Sequence, residues 1–113
     1  IVKCYKNKKI ISGHVDIADT SMKRLVGLLN KKSLSPQASL LITPCSQIHT
    51  CFMRFSIDCI FLNHENTVVH IIETMRPWKI SKHISLSHKV LEMPAGTVSR
   101  MDISIGDCLI FKE

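Results

Sequence analysis

The stretch "CIFLNHENTVVHIIE" (residues 59–73) decides the fold class, because two apolar runs rich in β-branched residues flank a short polar turn. "NHEN" (63–66) supplies a hairpin turn, and "TVVHIIE" (67–73) returns antiparallel to the run before it. Outward on the N-terminal side, Ile48 to Leu62 reads as strand on both faces, two strands bent near Ser56. "ASLLITP" (38–44) is a buried strand ended by Pro44, and "IVKCYK" (1–6) with "IISGHVDIA" (10–18) forms a hairpin about "NKK" (7–9). On the C-terminal side "RPW" (76–78) breaks the pairing, since proline removes a ladder donor. "HKVLEMPAG" (88–96) offers a short strand ended by Pro94 and Gly96. "TVSRM" (97–101) fits one helical turn, "IGD" (105–107) a tight turn and "CLIFK" (108–112) the last strand.

Only "DTSMKRLVGLLNKKS" (19–33) changes period. Met22, Leu25, Val26 and Leu29 fall at i, i+3, i+4 and i+7, one face of a helix. Asp19, Thr20 or Ser21 can cap its start, and Asn30 can close its end. Together these segments predict a mostly β, β-rich α+β domain over residues 1–113. Its form is a small antiparallel β-barrel or sandwich of seven to eight short strands with one or two short helices.

At 113 residues the chain buries about two thirds of the surface exposed when unfolded, so it needs neither disulfide nor metal to fold. Hydrophobic residues make up 45% against four Gly and four Pro, which excludes disordered and collagen-like classes. No apolar run nears the about 20 residues that cross a bilayer, so no transmembrane segment is expected in this chain. The net charge of +6 invites an anionic partner, yet the lysines are spread over turns and helix flanks and no nucleic-acid module is recognisable. Nucleic acid is therefore not the expected partner. Five cysteines leave at least one thiol unpaired. Cys4, Cys59 and Cys108 stand in apolar strand contexts as small hydrophobes, which favours a cytoplasmic, reducing compartment. The sequence begins at Ile1 rather than Met, which reads as a truncated N-terminus; a leader upstream would make the protein an exported one.

The chemistry concentrates in "PCSQIHTCFMRFSIDCIF" (44–61). Cys45, His49 and Cys51 form one loose group where a zinc site wants two short-spaced pairs, so neither metal nor cofactor is expected. Cys45 is the candidate reactive thiol, with His49 as its neighbour. Arg54, Asp58 and Glu92 are ionisable groups among apolar ones, and such groups pair or line a wet cavity. In a straight strand Arg54 and Asp58 would stand about 13 Å apart, so they meet only if the chain bends.

That run, with "RLVGLLNKKSL" (24–34) before it and "PW" (77–78), "VLEMPAG" (90–96) and "IGD" (105–107) after it, resembles the uncharacterised prokaryotic family catalogued as domain of unknown function number 192. The resemblance runs from about Ala18 to Phe111. It is closest to a branch with Pro-Cys, Ile-His-Thr, Met-Arg and Ile-Asp motifs, often found in bacteria that encode pilus assembly and secretion systems. It implies a compact, mostly antiparallel β-fold and no established reaction. It places the family's polar signature on Arg24, Cys45, His49, Thr50, Arg54, Asp58, Glu92 and Asp107. Ser56, Glu65-Asn66 and Asp102 depart from the usual Pro, Asp-Gly and Gly, all at bends or turns.

The functional expectation is a non-catalytic binding or accessory module, linked to pilus assembly or secretion. Its polar pocket would lie around His49, Arg54 and Asp58, with Thr50 beside them and Glu92 reaching in from another strand. The pocket would hold a small polar or anionic ligand, or a protein segment. The alternative is a small hydrolytic or sugar-acting enzyme with His49 or Glu92 as general base. A third is an assembly factor that adds a partner's strand to an exposed sheet edge.

Overall fold

Where apolar side chains alternate, the chain extends, and the extended segments join one seven-stranded sheet. The computed structural model describes residues 1–29 and 31–113, with Leu25 described by its backbone alone. In chain order the elements are β1 (Val2–Lys6), β2 (Lys9–Ala18), α1 (Ser21–Val26), β3 (Ala38–Ile42), β4 (Ile57–Leu62), β5 (Val68–Met75), β6 (Lys89–Pro94), α2 (Thr97–Arg100) and β7 (Ile110–Lys112). Across the sheet their order is β5-β4-β6-β3-β2-β1-β7. The sheet curls into a half-barrel. Thr67 bridges Cys108, and the Val68 N–H donates to the Asp107 carbonyl at 2.8 Å, so the start of β5 meets the chain just before β7. The β-rich class, the seven strands and the two short helices are as the sequence predicts.

Three particulars differ from the sequence reading. First, the sheet is not all antiparallel: β2 and β3 run parallel, in register from His14↔Ala38 to Ala18↔Ile42. A parallel pair needs a crossover, and residues 19–37 with α1 supply it. Second, residues 43–56 are not strand. Only His49 makes an isolated bridge, to Ile80, and β4 begins at Ile57. Third, Cys108 is exposed, unlike the buried Cys4 and Cys59.

Helix α1 starts as capping rules ask, with the Thr20 hydroxyl accepting from the Lys23 N–H at 3.1 Å. It ends at Gly27, whose φ of 48° and ψ of −123° suit only glycine. Met22 in its first turn is exposed, and Leu28, just past its end, is buried. The expected cap at Asn30 and the side chain of Leu25 lie outside the described residues. The departures at turns are accommodated by residues that tolerate left-handed backbone. Asn66 takes φ 63° and Asp102 φ 54°, while the Asn63 side chain accepts from the N–H groups of Glu65 and Thr67.

Strand β4 is buried along its whole length, so its alternation feeds two cores. Ile60 and Leu62 face inward with Cys4, Ile11, Leu91 and Met93, under Val98 of α2. Ile57, Cys59 and Phe61 face the opposite way with Leu40, Ile42 and Val90, under Leu28, Ile48 and Met53. Residues 43–56 and α1 therefore roof the outer face of β3, β6 and β4. The candidate site lies beneath that roof.

Candidate functional site

Glu92 belongs to the outer face. In the middle of β6 it is paired with Leu40 of β3 on one side and Cys59 of β4 on the other. Its side chain alternates with Leu91 and Met93, so it points with Val90 away from the barrel interior. Glu92 is 3% exposed, and among the described residues nothing donates a hydrogen bond to its carboxylate. Burial among Leu40, Cys59 and Ile42 disfavours the charged form and pushes its pKa up to about 8. Near neutral pH the group is mainly a neutral acid able to donate a hydrogen bond.

Above Glu92 the roof encloses a cavity of about 510 Å³. One wall is α1 and its exit, with Arg24, Val26, Gly27 and Leu28. A second is the loop after β3, with Pro44, Cys45, Gln47, Ile48 and His49, and His83, Ser87 and His88 close the third. Backbone and side-chain bonds lace the two loops together. The Cys45 N–H donates to the His88 carbonyl at 2.8 Å, and Ile84 N–H to the Ser46 carbonyl at 2.8 Å. The Gln47 amide donates to the Ser81 carbonyl at 2.8 Å, and the Ser87 hydroxyl to the Cys45 carbonyl at 2.9 Å. This lacing brings His83 and His88 to a site that lies some forty residues earlier in the chain.

Several polar groups on the wall keep bonding capacity to spare. Arg24 makes one long bond, from its guanidinium to the Asp19 carbonyl at 3.4 Å. The His49 Nδ1 accepts from the Cys51 N–H at 3.2 Å, which puts the proton of the neutral ring on Nε2. His88 stacks on His64 with ring centres 3.8 Å apart; desolvation, then the charges of His64 and Lys89, hold its pKa below the ordinary imidazole value. The Cys45 thiol bonds the Gln47 carbonyl at 3.3 Å, and burial pushes its pKa up. A thiol held protonated in this way is a poor nucleophile.

Of the residues singled out in the sequence, Cys45, His49 and Glu92 share the cavity wall, joined by Arg24 of the family signature. Thr50, Arg54 and Asp58 do not line it. Thr50 is fully buried, and its hydroxyl donates to the Arg76 carbonyl at 2.5 Å and accepts from the Lys79 N–H at 3.0 Å. Asp58 is also fully buried, on the inward face, and accepts from Thr74 N–H at 2.8 Å, Gly96 N–H at 3.1 Å and Val98 N–H at 2.9 Å. It fixes the start of α2 and the left-handed turn at Thr74. Arg54 is exposed, and does not reach Asp58. Asp107 braces its own turn through the Ser104 N–H at 2.8 Å and pairs with Lys6 at 3.0 Å. Sequence reasoning missed Gln47, His83 and His88, because only the tertiary lacing brings their segments over Glu92.

Against models of known families, residues 2–111 match domain of unknown function 192, described as "Uncharacterized ACR, COG1430". A UPF0127 protein of Pyrococcus abyssi is 36% identical over 100 residues, covering 84% of this chain and 83% of that protein. One of Thermococcus gammatolerans is 31% identical over 106 residues, covering 89% and 68%. Among solved structures, a protein of unknown function from Novosphingobium aromaticivorans superposes with a TM-score of 0.81 at 19% identity, over 96% of this chain and 82% of that one. Such a likeness speaks for the fold. The sequence relatives named are archaeal, where the resemblance had pointed to bacteria.

Proposed function

Since the chain belongs to the uncharacterised family of domain of unknown function 192, also called UPF0127, we propose its role from the cavity itself: a non-catalytic module that binds a small polar ligand over Glu92. The observation that carries this reading is the Glu92 carboxyl group, only 3% exposed in the cavity wall and bonded by no described group. Among the described residues no side-chain oxygen or nitrogen is both fully buried and unbonded, so the Glu92 carboxyl group meets the cavity, where a ligand can bond it. The volume lies in the range of small-molecule sites, about 300–1,000 Å³, and the wall mixes apolar surface with a few convergent polar groups. Arg24 supplies a positive charge, the protonated Glu92 a donor and the His49 Nε2–H another. All three suit a ligand bearing a carboxylate or several hydroxyls. Among the described residues no nucleophile, base and orienting group stand linked along the wall, which argues for binding over turnover. A link to pilus assembly or secretion draws no support from this chemistry.

The test is an amide NMR titration with a panel of small carboxylic acids and monosaccharides. Binding should move resonances of residues 24–28, 45–49 and 83–92, and Glu92→Leu or Arg24→Ala should abolish those shifts while leaving the fold intact. A panel that moves nothing, or moves both variants as it moves the parent, refutes the proposal.

One observation favours a second reading. A carboxyl group with a pKa of about 8 in a cavity also lined by imidazoles is poised for proton transfer near neutral pH. In a hydrolytic or sugar-acting enzyme Glu92 would exchange the proton and Arg24 would hold the developing anion. Glu92→Gln separates the readings: it would keep binding in a module and remove turnover in an enzyme.

A further inference from the structure

Away from Glu92, the two loops that roof the cavity end in a protruding apolar tip. Phe52 is 69% exposed, Trp78 61% and Ile80 69%. Phe52 and Trp78 touch, with ring centres 4.5 Å apart and planes at 59°. Both residues sit in left-handed backbone, at φ 67° and 66°, which bulky side chains rarely adopt. The strain is held in place by Thr50 beneath. Its N–H donates to the Lys79 carbonyl at 2.8 Å, its carbonyl accepts from the Trp78 N–H at 3.0 Å, and its hydroxyl bonds both strands of the second loop. His49 pairs with Ile80 in the same ladder. Two segments are thus clamped so that their large apolar residues face solvent.

The two segments that form the tip carry charge of one sign. Residues 49–54 and 76–82 contain Arg54, Arg76, Lys79 and Lys82 and no Asp or Glu. All four basic side chains are exposed. The nearest acidic residues in sequence are Glu73 and Asp58, and the Asp58 carboxylate is buried and fully bonded. An aromatic and aliphatic tip ringed by Arg and Lys complements an anionic bilayer, where Trp and Phe enter the headgroup region and the cations meet lipid phosphates. Single-stranded nucleic acid fits less well. Phe52 and Trp78 cover part of each other's surface instead of offering parallel faces, and Ile80 gives a base nothing to stack on.

We propose that the clamped tip of Phe52, Trp78 and Ile80, with Arg54, Arg76, Lys79 and Lys82 around it, docks this protein on an anionic lipid surface. The role is independent of what the cavity holds. It gives Arg54, exposed and off the cavity wall, a function that the cavity does not.

Trp78 is the chain's single tryptophan, so its emission reports on the tip alone. The experiment titrates the whole chain with vesicles of equal parts phosphatidylglycerol and phosphatidylcholine, and with vesicles of phosphatidylcholine only. Mixed vesicles should shift the Trp78 emission to the blue, protect it from acrylamide and sediment the protein; neutral vesicles should bind at least about tenfold more weakly. Added salt should weaken the binding through screening. Phe52→Asn, which suits the left-handed backbone, combined with Ile80→Ser should cut partitioning by about tenfold or more. Arg76→Glu with Lys79→Glu should remove the preference for phosphatidylglycerol. Circular dichroism should show both variants folded. An emission maximum that neither vesicle moves overturns the proposal, as does equal binding by the Phe52→Asn, Ile80→Ser variant. Selective quenching by oligo-dT or by polyglutamate, with vesicles inert, would assign the tip to nucleic acid or to an acidic protein instead.

Discussion

Asp58 and Glu92 are two buried carboxylates on neighbouring strands, in adjacent register: Asp58 lies opposite Met93, and Cys59 opposite Glu92. They look alike in sequence, each one acid among apolar residues. Their fates are opposite. Asp58 points inward, where three amide N–H groups converge on it. Glu92 points outward beneath the roof, and no described group bonds it. A carboxylate supplied with amide donors is a structural keystone. One buried without them retains bonding capacity, and retained capacity beside a cavity is what a ligand can use.

The comparison breaks most visibly at Asp58. Asp58→Ala should leave three amides near α2 and Thr74 unbonded and cost about 5 kcal/mol, at about 1.5–3 kcal/mol per bond to a charged group, measured by urea unfolding. A cost below about 1 kcal/mol would show that these amides find other partners, and the contrast with Glu92 would collapse.

Glu92 should act through pH, and with the sign reversed. Its folded pKa of about 8 lies above its ordinary value of 4.5, so between those values the native state binds the proton that the unfolded chain has released. Stability is therefore full below about pH 4.5, falls as pH rises through the window, and levels off above about 8. The slope from this group is about 1.4 kcal/mol per pH unit at most. Glu92→Gln should lack that slope and exceed the parent in stability at pH 9. Parallel pH profiles for parent and variant would mean that Glu92 is ionised and bonded after all.

Arg54→Ala should have the smallest effect, within about 0.5 kcal/mol by thermal unfolding, because the side chain is exposed. A larger loss would imply that Arg54 pairs with one of the two acids after all.

Some of this is legible in the chain. The 59–73 hairpin, the parting at "RPW" and the strand ended by Pro94 follow from alternation, turn chemistry and the missing proline donor. So does the start of α1 at Thr20. Residues 48–56 misled because Ile48, Met53 and Phe55 are apolar within a run that reads as strand on both faces. They are apolar because they pack as a lid on the outer face, and lids need no ladder. The parallel pairing of β2 with β3 was equally hidden, since a strand's direction depends on the path of its crossover and not on its own residues.

By itself, then, the sequence determined most of the elements and the class of fold: local propensity and period act over a few positions, and the side chains there are enough to set them. Tertiary structure alone decided which acid would be bonded and which left open, that His83 and His88 would line the same cavity as Glu92, and that Phe52 would meet Trp78. Those outcomes depend on which face of β4 or β6 a residue takes and on bonds between loops some forty residues apart. No local pattern encodes such bonds, because each partner is specified only once the whole sheet has closed around it.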